Sequence, residues 1–173
     1  MDDLIEARRR YLRAWVSLGD LMEAASALNS YQTARSCFPM DLGGEMDLKN
    51  TQRCLIGYAV VAYMRPFKRS SAHDRATRSI SLYEIGVELS EKHRKIHEQI
   101  EFMRDKLIAH SDFEEKELAP ANPHAARAIS KPTYMHLDSI DYIGFHELLR
   151  EVVKSMDAYK QRLESQFGDR LMA

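Results

Sequence analysis

Cysteine is scarce: Cys37 and Cys54 are the only two in 173 residues. A pair so small builds no disulfide framework, and free thiols in a reducing cytosol are the default expectation. Long apolar runs are also missing. The run Ile56 to Met64, even extended by Cys54 and Leu55 before it, falls well short of the roughly twenty residues a membrane span needs. The opening MDDLIEARRR is acidic, then basic, with no apolar stretch behind it, so no secretory signal is expected. Net charge is only −1, which leaves no global field to hold nucleic acid; any such binding has to rest on a local patch. There is no Gly-rich phosphate loop, no Cys–His zinc spacing and no Gly-flanked serine elbow. Only seven glycines and five prolines interrupt a chain that is 45% hydrophobic, the composition of a compact helical protein and not of a disordered one. The expectation is a soluble, cytoplasmic, single-domain protein over residues 1–173.

What is present is helical periodicity. A first helix is expected from about Asp3 to Ser36, with Leu4, Tyr11, Trp15, Leu18, Met22, Ala25 and Leu28 at near-heptad spacing and a bend at Gly19. The segment 37–46 carries Pro39, Gly43 and Gly44 and reads as a turn. A second helix, about Leu48 to Arg65, buries Leu55, Tyr58, Ala59 and Ala62 and is stopped by Pro66. Residues 65–78 hold five basic residues against one acidic. Such a run is commonly a solvated loop; in a nucleic-acid reading Arg65, Lys68 and Arg69 form a phosphate-contacting rim. Phe67 is its only aromatic, so base stacking is not indicated.

Residues 79–88 suit a helical turn, and Ser90 a cap for the next helix. That helix, Leu89 to Asp112, places Leu89, His93, Ile96, Ile100, Met103, Leu107 and His110 on one four-three seam. A long segment with Pro120, Pro123 and Pro132 follows, in which residues 134–140 suit a small β-hairpin. The last helix, about Tyr142 to Phe167, repeats the rhythm with Phe145, Leu149, Val152, Met156, Tyr159 and Leu163. Four long amphipathic helices imply an all-α antiparallel bundle, of four to five helices, with apolar surface to spare for a second copy.

One constellation carries chemistry. Arg104 and His110 flank the third seam, about 120° apart around the helix. His93, His97 and Glu101 share a face at spacings that suit zinc, but neither a fourth ligand nor the HExxH pattern accompanies them, so no metal or cofactor is expected. The run Arg104-Asp105-Lys106-Leu107-Ile108-Ala109-His110-Ser111-Asp112 resembles the motif of HEPN proteins, small all-helical domains that usually dimerise. The motif is an arginine, a polar residue, and a histidine a few positions on. The wording is similar to the abortive-infection branch. The likeness covers roughly 45–165 in architecture and 104–112 in residues. Members regulated by a nucleotidyltransferase antitoxin often have a Tyr two places after the His; Asp112 stands there, so that control is not expected to transfer.

The resemblance implies a metal-independent endoribonuclease, in phage defence or as a toxin, with RNA as substrate and an antitoxin or defence partner. The chemistry fits the residues. A neutral His110 can take the ribose 2′-OH proton, Arg104 can hold the phosphate with its fixed fork of donors, and Asp105 can orient one of them. One Arg and one His make a sparse site, so a homodimer that pools two of each is expected. The competing reading is a catalytically silent HEPN-like interaction module, in which a core histidine and an ion-paired arginine serve the fold alone.

Overall fold

The computed structural model describes residues 2–36, 45–68, 79–109, 137 and 139–171. The described residues form four α-helices, α1 (Asp2–Ser36), α2 (Glu45–Met64), α3 (Glu91–Ala109) and α4 (Tyr142–Phe167), followed by a 3₁₀ turn at Gly168–Leu171. Among the described residues there is no strand, and no helix is long and apolar enough to cross a membrane. The hairpin expected at 134–140 falls mostly outside the described residues, while Leu137 and Ser139 are in 3₁₀ conformation and Ile140 in a bend.

α1 runs unbroken through Gly19 and is about 52 Å long at 1.5 Å per residue. α2 returns antiparallel beside it: Gln52 donates to the Ala34 carbonyl at 3.3 Å, and Tyr58 to Glu23 at 2.6 Å. α4 lies antiparallel along another flank, where Tyr11 donates to Glu164 at 2.8 Å and His146 meets Asn29 at 2.9 Å. α3 packs on α2 and α4 and runs antiparallel to α4, with Lys92 on Glu147 and Gln99 on Ser139. Because α1 and α3 share the same two neighbours, they occupy opposite sides of the bundle.

Local chemistry explains the boundaries. The Ser90 hydroxyl accepts from His93 N at 3.1 Å and caps α3 as expected. Asp141 does the same for α4, accepting from Gly144 N at 3.0 Å. A Cβ at Gly144 would collide with the Ile96 side chain, so glycine lets α4 start hard against α3. α2 ends at Met64, one residue before the expected stop; Pro66 keeps Arg65 out of the helix and its carbonyl takes up Ile80 N at 2.8 Å. The turn 82–86 closes with Gly86 at φ 77° and sends Ile80, Ile85 and Val87 into the core.

Two seams differ from the expected ones by a small rotation. On α1 the buried line is Ala7, Tyr11, Ala14, Leu21 and Leu28, with Leu18 and Ala25 packed against it, whereas Trp15 is 62% exposed and Met22 58%. Alanines on that line let α2 and α4 approach α1 closely, so size and not hydrophobic weight selects the inner face. On α2, Ile56, Val60, Tyr63 and Met64 join Ala59 and Ala62 inside, while Tyr58 turns outward to Glu23. The α4 seam matches, with Phe145, Leu149, Val152, Met156, Tyr159 and Leu163 all buried; on α3 Ile96, Ile100 and Met103 are buried, Leu89 and His93 are partly so, and the side chains of Leu107 and His110 lie outside what is described.

Candidate active site at the end of α3

Arg104 and Asp105 sit in the last turns of α3. Arg104, its side chain 25% exposed, donates from Nη1 to Asp105 Oδ1 at 3.0 Å. The other Asp105 oxygen, Oδ2, accepts from Lys68 Nζ at 3.0 Å, and the same ammonium reaches Glu101 Oε1 at 2.6 Å. Lys68 arrives there because the turn after α2 hydrogen-bonds back to the helix end, Lys68 N to the Met64 carbonyl at 3.1 Å. Two cations and two carboxylates thus form one chain, Arg104–Asp105–Lys68–Glu101, across the α2–α3 junction.

The charges shape one another. Desolvation pushes the Asp105 carboxyl up, but hydrogen bonds from Lys68 and Arg104 outweigh it and hold the group below its ordinary value. Lys68 is raised, first by its bond to Glu101 and then by Asp105. The cluster is close to neutral, so a phosphate entering it has to compete with Asp105 or use the donors Arg104 has left. A guanidinium has five N–H groups, and Asp105 takes one from Arg104.

The remaining candidates divide. His110 and Arg69 lie outside the described residues. Arg65 does not join the cluster: its Nη1 donates to Asp20 at 3.1 Å and to Glu23 at 2.8 Å on α1, and its guanidinium lies 5.7 Å from the Tyr58 ring centre. Of the two rim residues described, Lys68 shares the Asp105 carboxylate with Arg104 and Arg65 does not. His93 and His97, one turn apart, engage different helices. His93 Nδ1 is 2.7 Å from Glu151 on α4, whereas His97 Nδ1 is 2.9 Å from the Tyr63 hydroxyl on α2. Among the described residues no three His, Cys, Asp or Glu side chains gather as metal ligands.

The Tyr63–His97 pair is a feature that sequence spacing did not reveal. It lies two turns below Arg104 on the α2-facing side of α3, with Phe67 packed edge-on against the imidazole at 5.6 Å between centroids. Burial lowers the His97 pKa, against a weaker upward pull from Glu101 and Glu98. Burial, and then the charge of Glu151, pushes the Tyr63 hydroxyl far up, so it stays protonated and serves as a hydrogen-bond partner only. A tyrosine and a histidine thirty-four residues apart give no local signal. The one available hint was an aromatic at each end of the α2 stop, Tyr63 and Phe67, facing a histidine-bearing helix. No family model, no curated protein and no solved structure matches the chain.

Proposed function

We propose that the protein is a metal-independent endoribonuclease whose site is built on Arg104, Asp105 and His110. His110 accepts the proton of a ribose 2′-OH, the 2′-oxygen forms a bond to the adjacent phosphorus, and the bond from phosphorus to the 5′-oxygen breaks. The 5′-oxygen leaves with a proton returned to it, giving a 2′,3′-cyclic phosphate and a 5′-hydroxyl. Arg104 stabilises the charge that builds on the phosphorane oxygens. Lys68 adds a second cation near the phosphate, and Asp105 fixes the guanidinium. In this reading the protein acts in the cytoplasm as a homodimer, in phage defence or as a toxin, and an antitoxin or defence partner belongs with it.

What supports the reading is the state of Arg104. Its guanidinium is held at the end of α3 by Asp105 and is still partly open to solvent, with Lys68 on the far side of the same carboxylate. The near-neutral charge balance of that cluster favours a second reading, a catalytically silent interaction module in which Arg104 and Lys68 only tie α3 to the end of α2. Incubation of the purified protein with total RNA in EDTA, followed by end-group analysis, separates the two. Cleavage to 2′,3′-cyclic ends is expected, with DNA of the same sequence untouched because it lacks the 2′-OH. Arg104→Ala and His110→Ala each abolish it. Cleavage lost in EDTA, or DNA cut equally well, refutes the mechanism, and intact RNA with a folded protein leaves the interaction module.

A further inference from the structure

Among the described residues a run of exposed apolar side chains lies on α1, diametrically opposite its buried seam. Ile5, Leu12, Trp15, Val16 and Met22 are each 47–62% exposed, and at 100° per residue they fall within about 120° of one another, with Gly19 near the middle of the arc. Together they expose on the order of 500 Å² of apolar surface, more than half of what one partner contributes to a standard interface. Their spacing is that of a coiled-coil seam: Ile5, Leu12 and Gly19 repeat every seven residues, and Trp15 and Met22 follow three places after Leu12 and Gly19.

We propose that this face is the docking surface for a second copy of the chain, the two α1 helices packing antiparallel about a two-fold axis near Val16. Shape and charge both point to that occupant. Antiparallel pairing centred level with Ser17, next to Val16, sets Trp15 of one copy opposite Gly19 of the other, and Leu12 opposite Met22. Gly19 is a vacancy on the helix surface, where an added Cβ meets nothing within 4 Å. An indole seats there without displacing any side chain. The flank of the stripe is segregated by charge. Arg8, inside the arc at the place three after Ile5, and Arg9, on its flank, precede the centre, exposed and without an acidic partner at ion-pair distance among the described residues, whereas Asp20 and Glu23 follow it. Arg65 takes up one charge of that acidic pair and leaves it net negative. In that register Arg9 comes within two positions of Glu23 on the same flank, once on each side of the axis; parallel pairing would lay arginine on arginine. The surface is therefore self-complementary in one orientation, as a closed two-fold dimer requires. This inference does not rest on the ribonuclease reading, since α1 and the Arg104 cluster are on opposite sides of the bundle.

Trp15 is the only tryptophan, so its emission reports this face alone. Sedimentation equilibrium and tryptophan fluorescence over a concentration series, at low and high salt, form the test. The expected result is a species of twice the 20.0 kDa chain mass, with a blue shift of emission that follows dimer formation. Gly19→Gln fills the vacancy, improves helix propensity and adds a Cβ that meets nothing within 4 Å in the monomer; it is expected to leave a folded monomer with red emission. Arg9→Glu sets like charges against each other and is expected to weaken the dimer about tenfold or more at low salt, with the effect shrinking as salt rises. A protein that remains monomeric to its solubility limit overturns the proposal. So does a dimer indifferent to Gly19→Gln, which places the contact elsewhere, and a monomer with emission already blue, which means another part of the chain covers the stripe.

Discussion

Tyr63→Phe removes a single oxygen from the α2–α3 junction. The hydroxyl lies 2.9 Å from His97 Nδ1, and Tyr63 is fully buried against Phe145 and Phe67. The ring and its packing survive the substitution; the hydrogen bond does not. Losing one net hydrogen bond costs about 1 kcal/mol, and stranding its partner in a half-buried place brings the total to about 1–2 kcal/mol. For a chain of this size that corresponds to about 3–6 °C in melting temperature. The pair also sets a pH dependence. Burial lowers the folded-state pKa of His97 from its ordinary 6.5, so the unfolded chain takes up this proton first. Stability from keeping His97 neutral is complete above about pH 6.5 and is lost as pH falls from there through the lowered folded value. His97→Asn keeps an acceptor for Tyr63 and cannot titrate, so the drop in denaturant midpoint between pH 8 and pH 5 should shrink. The assay is urea unfolding followed by circular dichroism at both pH values, for the wild type and the two variants. A Tyr63→Phe midpoint within error of wild type, or a pH drop unchanged in His97→Asn, refutes the account of this junction.

Lys68→Ala should weaken RNA binding and flatten its salt dependence by about one phosphate contact, whereas Arg65→Ala, whose guanidinium is held on α1, should leave RNA binding intact and cost at most about 1 kcal/mol of stability; equal effects in a filter-binding salt titration would refute the division. An antiparallel α1 dimer carries its two α3 helices on outer, opposite sides. Mixing Arg104→Ala and His110→Ala proteins under conditions that exchange subunits decides between that arrangement and the pooled site expected from the sequence: no recovered cleavage is the outcome for an α1 dimer, and recovered activity would show that the α3 helices meet and that the site is pooled between chains.

The helices were legible in the sequence because their periodicity is local. Ser90, Asp141 and Pro66 act within a few residues of themselves, so the start of α3, the start of α4 and the end of α2 follow from chain chemistry alone. The junction between Tyr63 and His97 and the direction of Arg65 were not legible, because each is decided by a helix far away in sequence. Arg65 turns away from the candidate site because Asp20 and Glu23 of α1 stand beside it, and no property of residues 65–78 encodes that. The most instructive case is α1, where the sequence supports two apolar faces. One carries the larger side chains, Trp15, Met22 and Leu12; the other carries Ala7, Ala14, Ala24 and Leu21. Hydrophobic weight favours the first as the core. A helix packed against both α2 and α4 needs small residues where its neighbours converge, and bulk is tolerated only where nothing yet presses against it. Ala14, Leu21 and Ala24 are accordingly completely buried, and the bulky face is turned outward. A helix that is apolar on both sides has two burial problems to solve. Folding solves one of them, and the exposed tryptophan facing an open glycine is the form the second one takes.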